Sequence, residues 1–204
     1  MNYISSIVTP LFDLLLPPRR TERLSRTLSK DTLFALASPD GTLPYHDERV
    51  TALVWEIKYR KNAQALSLAG AFLAEQALAI ASESLDKPVL VPVPMHDARR
   101  KARGYNQTEL LCTAIMKASP NAFHYAPDAI IRSRNTVPQQ GLPKHRRLKN
   151  ILGAMDIADS KQVEDKICIV VDDVSTTGAT AHETKRALLE AGASEVHILT
   201  LAHS

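Results

Sequence analysis

The chain has 204 residues, 45% of them apolar and 23% charged, the composition of a folded domain with one substantial core and not of a disordered tail. Its only cysteines, Cys112 and Cys168, lie far apart in apolar segments, which argues against a disulfide framework or a thiolate metal site and makes them small core residues. The net charge of +3 decides little alone; its distribution along the chain says more.

Near the start, the apolar piece IVTPLFDLLLPP is broken by Pro10, Asp13 and Pro17, with no basic segment before it. It is too short to cross a bilayer and a poor secretion signal, so a cytoplasmic protein without stable membrane insertion is expected. RRTERLSRTLSKD reads as a polar connector, and LFALASPDGTLPYHD as two short strands around a turn at Pro39, Asp40 and Gly41. VTALVWEIKYRKN and AQALSLAGAFLAEQALAIASESL carry helical apolar spacing, split near Lys61 and Asn62. PVLVPVP is a short strand stopped by Pro92 and Pro94, which cannot continue a central ladder. Just beyond it, Arg99, Arg100, Lys101 and Arg103 face a single acidic residue, Asp97. NQTELLCTAIMKAS is helical, with Asn106 as N-cap and Glu109 three residues on.

AIIRSR begins as a strand. The following NTVPQQGLPKHRRLKN has no period, two prolines and a glycine; it reads as a long loop, and long loops in compact domains tend to be functional. Over 131–150 stand Arg132, Arg134, Lys144, Arg146, Arg147 and Lys149 with no acidic residue. Two basic segments in a balanced chain suit an anionic ligand, phosphate or nucleic acid, although solvated loops have the same composition. KICIVVDD, AHETKRALLEA closed by Gly192, and EVHILTLA then make strand, helix and strand, a βαβ unit with a parallel pair. The chain divides into an N-terminal arm over 1–44 and one α/β domain over 45–204.

The chemistry concentrates in IVVDDVSTTGAT. An unpaired charge inside a buried strand costs several kcal/mol, so Asp172 and Asp173 are expected at the strand's C-terminal edge, where an α/β sheet opens toward ligands. Backbone N–H groups at the start of the next helix attract anions, and Gly178 lets a ligand approach the chain closely. Hydroxyls of Ser175, Thr176, Thr177 and Thr180 add donors for a phosphate monoester. Carboxylates only accept hydrogen bonds, so the acidic pair suits vicinal hydroxyls or, through water, Mg2+. Together these describe a cradle for a ribose 5-phosphate. TTGAT alone would be a plain helix cap; the strand, acidic pair, loop and helix in sequence carry the signal.

IVVDDVSTTGAT resembles the phosphoribosyl-pyrophosphate motif of type I phosphoribosyltransferases. VPVPMHDARRKARGYNQTELL and RSRNTVPQQGLPKHRRLKNILGAM resemble two segments of one group with that fold, the ComF family. The second of them keeps the family spacing at Arg132 or Arg134, Thr136, Gln139, Leu142, Arg147, Asn150 and Gly153. Upstream, Tyr45, Lys58 and Tyr59 fit as well. The resemblance implies a type I phosphoribosyltransferase fold, a mainly parallel sheet flanked by helices with a mobile hood loop. It implies that phosphoribosyl pyrophosphate binds with Mg2+, the metal held mainly through the ligand, with Asp172 and Asp173 as candidate contacts.

By the same resemblance, Asp172 and Asp173 take the ribose diol, and Ser175, Thr176, Thr177, Gly178, Ala179 and Thr180 wrap the 5-phosphate. Arg103, Gly104 and Tyr105 form the pyrophosphate loop, and Lys144, Arg146 and Arg147 reach pyrophosphate from the hood. The candidates for catalysis are Lys144, Arg147, Asp172 and Asp173, with His96 and His145 as candidate proton donors. The acceptor, a base or an amine, is not specified; Thr176 stands where some relatives place an acidic residue toward a purine. ComF proteins are associated with competence and the use of imported DNA. The alternative is therefore a non-catalytic module that senses phosphoribosyl pyrophosphate or binds DNA-uptake proteins or single-stranded DNA. Tyr105 is the only aromatic residue in the basic segments, which offers little for base stacking. The N-terminus departs from the family: LLLPPRRTERLS has Arg20 where many relatives begin a cysteine-rich zinc module, and no cysteine precedes Cys112. No zinc is expected.

Overall fold

The computed structural model describes residues 19–84, 86–134 and 151–204. Two short helices, α1 (Arg20–Arg26) and α2 (Lys30–Leu36), lead into β1 (Leu43–Pro44). Next come α3 (Glu48–Arg60), α4 (Ala63–Ser82), β2 (Val89–Pro92), α5 (Asp97–Arg103), α6 (Gln107–Ala118) and β3 (His124–Tyr125). β4 (Ile130–Arg132) and β5 (Met155–Ile157) stand on either side of residues 135–150. β6 (Ile167–Ser175), α7 (Ala179–Glu190) and β7 (Glu195–His203) complete the order.

The main sheet is parallel throughout, in the order β1-β7-β6-β2-β3. Because successive side chains on a strand point to opposite faces, the run CIVV of β6 feeds two cores at once. Ile169 and Val171 pack with Leu90, Leu199 and Leu201 against α3, α4 and α6. Cys168 and Val170 pack with Val89, Val91 and Val196 against α7 and the β4–β5 pair. Cys112 belongs to the first core and Cys168 to the second. Burial raises both thiols, that of Cys168 to about 11, so both stay protonated at neutral pH.

The 20-residue α4 has the length and apolarity of a bilayer-crossing segment by composition. Here its Ala69, Phe72, Leu73 and Ala77 are fully buried in the first core. Gly70 explains the close approach of α6: a Cβ there would lie 2.7 Å from the backbone carbon of Ala114. The split before α4 is local chemistry. Lys61 turns left-handed at φ 51°, and the Asn62 side chain accepts the N–H groups of Gln64 and Ala65.

Two expectations change. The polar connector is helical: α1 packs on α3, and α2 is capped by Ser29, which accepts the N–H of Thr32. The first expected strand around the 39–41 turn is the end of α2, and only the second, β1, forms. The expected strand at AIIRSR forms as β4, outside the main sheet, pairing antiparallel with β5 from Ile130 opposite Ile157 to Arg132 opposite Met155. Ser133 N–H also donates to Ala154 O at 3.1 Å. The two ends of the long basic segment are thus tied together, while the segment itself lies outside the described residues.

Candidate functional site

β6 carries the acidic pair in its last third. Asp172 pairs in register with Thr200, and Ser175 with His203. The carboxylates stand toward the strand's C-terminal end, yet they are buried there: Asp172 is 8% and Asp173 5% exposed. Three devices make this burial tolerable. Asp172 Oδ1 accepts the N–H of Asp173, and Asp173 Oδ1 accepts the N–H of Val174. Lys58 of α3 places its ammonium 2.9 Å from Asp173 Oδ2. Finally, burial and then the Asp173 charge hold the Asp172 carboxyl well above the usual carboxylate range, because two desolvated charges side by side cannot both ionise cheaply.

Beyond the pair, β6 ends at Ser175 and the chain turns into α7 through Thr176, Thr177 and Gly178. Gly178 is left-handed at φ 70° and begins the helix; a Cβ on it would lie 2.8 Å from His182. A glycine cap has no side chain to occupy the helix N-terminus, which leaves the approach to its first N–H groups clear. Thr177 Oγ1 accepts the N–H of Ala179, a long 3.4 Å contact, and Thr180 O accepts the hydroxyl of Thr184. Ser175, Gly178 and His182 also line one side of a cleft of about 600 Å³ shared with Gln76, Thr200 and His203.

The neighbouring strand β2 supplies the other candidate loop. It does not turn directly into RGYN; α5 intervenes, with His96 as its cap accepting the N–H of Ala98. His96 therefore has a structural role in the helix start. Arg103 ends α5, and Gly104, at φ 82°, reverses the chain. Asn106 and Thr108, 2% and 1% exposed, both donate to Val93 O, pinning the loop to the end of β2. Tyr105, just before Asn106, donates its hydroxyl to Lys58 O at 2.6 Å.

The fold thus gathers Asp172, Asp173, Ser175, Thr176, Thr177, Gly178, Ala179 and Thr180 along one continuous stretch. Of Arg103, Gly104 and Tyr105, Tyr105 meets the acidic pair through Lys58, whose carbonyl accepts its hydroxyl and whose ammonium lies against Asp173. Lys144, His145, Arg146 and Arg147 lie outside the described residues. One turn beyond the Gly178 cap, Glu183 of α7, 4% exposed, accepts the N–H of Gly153 at 2.7 Å and a forked pair of bonds from Arg186. That ties the return end of the basic segment to α7.

Sequence reasoning gave no role to the last turn of α3. The Trp55 and Tyr59 rings meet tilted by 47° with centroids 5.1 Å apart, Arg60 lies over Trp55, Arg103 over Tyr59 and Lys61 over Tyr105. The signal was present as WEIKYRK, with aromatic and basic residues at helical spacing, but its meeting with Arg103 and Tyr105 is tertiary.

A parallel sheet whose central strand runs through an acidic pair and a glycine-closed loop into a helix frames the candidate site, on a phosphoribosyltransferase-type fold. A family model described as "phosphoribosyl transferase domain" matches residues 73–204. The DNA utilization protein YhgH of Salmonella typhimurium is 31% identical over 157 residues, 76% of this chain and 67% of the relative. Competence protein ComFC of Bacillus subtilis is 30% identical over 183 residues, 88% of this chain and 69% of the relative. Among solved structures, a hypoxanthine phosphoribosyltransferase from Trypanosoma cruzi aligns with a TM-score of 0.44 and 13% identity, covering 69% of this chain and 64% of its own. The chain belongs to the phosphoribosyl transferase domain family and, within it, to the ComF–YhgH group.

Proposed function

We propose that the protein binds phosphoribosyl pyrophosphate with Mg2+ in the cytoplasm and transfers its phosphoribosyl group to a base or an amine. The observation that carries this reading is the buried Asp172–Asp173 pair directly upstream of a loop that enters α7 through a bare glycine cap. The carboxylates accept the ribose hydroxyls, and the loop from Ser175 to the N–H groups of α7 takes the 5-phosphate. Arg103 and the N–H groups of Gly104 and Tyr105 receive the pyrophosphate as it leaves. Positive charge develops on the ribose ring in such a transfer, and the neighbouring carboxylates stabilise it.

The residues fit a metal carried by its ligand. Among the described residues no group of three or more metal-ligating side chains converges, while Asp172 and Asp173 supply carboxylates beside the ribose position. Bound there, Mg2+ would neutralise pyrophosphate oxygens during departure. Pyrophosphate release, measured against a panel of nucleobases and amines, tests the activity. Release with one acceptor class supports transfer, and tight ligand binding without release from any of them points to a sensing module.

One observation favours a second reading, contact with single-stranded DNA or a DNA-uptake partner. Trp55, Tyr59, Arg60, Lys61, Arg103 and Tyr105 interleave aromatic rings and cations on one surface, the arrangement on which bases stack while phosphates find positive charge. The relatives' names, DNA utilization and competence, agree with it. Salt-dependent binding of single-stranded DNA that weakens at least tenfold in Tyr59→Ala is expected on this reading; equal binding by the variant contradicts it.

A further inference from the structure

We propose that Lys58 is a positioning residue that couples the two halves of the site, the carboxylates for the ribose and the loop for the pyrophosphate. This deepens the phosphoribosyl-pyrophosphate reading and rests on it. Lys58 lies in the last turn of α3 and touches both halves. Its ammonium is 2.9 Å from Asp173 Oδ2, while its backbone carbonyl accepts the Tyr105 hydroxyl at 2.6 Å. Two further contacts fix the same turn to the same loop: Lys61 Nζ lies 4.1 Å from the centre of the Tyr105 ring, and the Arg103 guanidinium 5.3 Å from that of Tyr59. The loop is held from its other side by Asn106 on Val93 O. One helical turn therefore bears on both the loop and the acidic pair.

The ammonium, held by Asp173 from a turn whose carbonyl holds the loop, gives the coupling a sign. Vicinal hydroxyls that engage Asp173 compete with Lys58 for that carboxylate. The released ammonium then adds its charge near the loop, where pyrophosphate binds. The side chain is 22% exposed, so water can follow the movement. Binding in either half favours binding in the other, and thermodynamic linkage makes the effect reciprocal.

Ribose 5-phosphate and inorganic pyrophosphate probe the halves separately, by calorimetry at fixed Mg2+. In the unmodified protein each ligand should tighten the other about tenfold, within the usual range for coupled sites. In Lys58→Met the factor should fall to about one, and Lys58→Arg should restore most of it. Tyr105→Phe, which removes only the hydroxyl, should also lower the factor and serves if the Met variant fails to fold. Coupling that persists unchanged in Lys58→Met, or in Tyr105→Phe should that variant stand alone, overturns the proposal, as does its absence from the unmodified protein when both ligands bind. Failure of the unmodified protein to bind either ligand overturns the underlying reading, and the proposal with it.

Discussion

Asp172 and Asp173 place two adjacent carboxylates in a strand covered on both faces. Burial and the Asp173 charge move the Asp172 carboxyl from 3.8 to about 7. Between those values the folded chain keeps a proton that the unfolded chain releases. Its contribution to stability is thus complete below about pH 4 and is lost as pH rises toward 7. Asp172→Asn removes that loss. The variant should gain melting temperature relative to the parent progressively from pH 4 to 7, then no further; a pH-independent difference would show that Asp172 titrates normally. The double variant Asp172→Asn, Asp173→Asn should melt as a folded protein while losing at least tenfold in affinity for phosphoribosyl pyrophosphate. Unfolding would make the pair structural. The pair itself was legible in the sequence, since charges ending an apolar run demand a reason. Its burial was not, because Lys58, which makes that burial tolerable, arrives from another element.

At the scale of elements, the loop proposed to take the 5-phosphate depends on one glycine and one clamp. Gly178→Ala meets both a left-handed backbone and His182, so a loss of about 1–2 kcal/mol is expected in urea unfolding, together with weaker phosphate binding. A neutral result would mean that the loop relaxes freely. Glu183→Ala strands the Gly153 N–H and leaves Arg186 with Glu190; it should cost about 1–3 kcal/mol, and Glu183→Gln less, because an amide oxygen still accepts from Gly153. Equal losses in both variants would assign the effect to Arg186 alone. The βαβ unit around this loop was readable from periodicity and caps. α1 and α2 were not, since seven-residue helices are too short to display a period. β4 and β5 are three-residue strands whose pairing is set across the segment between them.

At the scale of the molecule, one parallel sheet brings the ends of β2 and β6 side by side, and each end carries one half of the candidate site. Neighbouring strand ends in an open α/β sheet are where ligands bind, so the topology assembles residues that the chain keeps far apart. The same sheet order explains why the sequence showed the halves but not their link, which runs through the last turn of α3. The most direct test of the account is calorimetric titration with phosphoribosyl pyrophosphate, with Mg2+ and after its chelation. Saturable binding at one site, at least tenfold tighter with Mg2+ and lost in the double Asn variant, is the predicted result. No binding, or the same affinity after chelation, would contradict it.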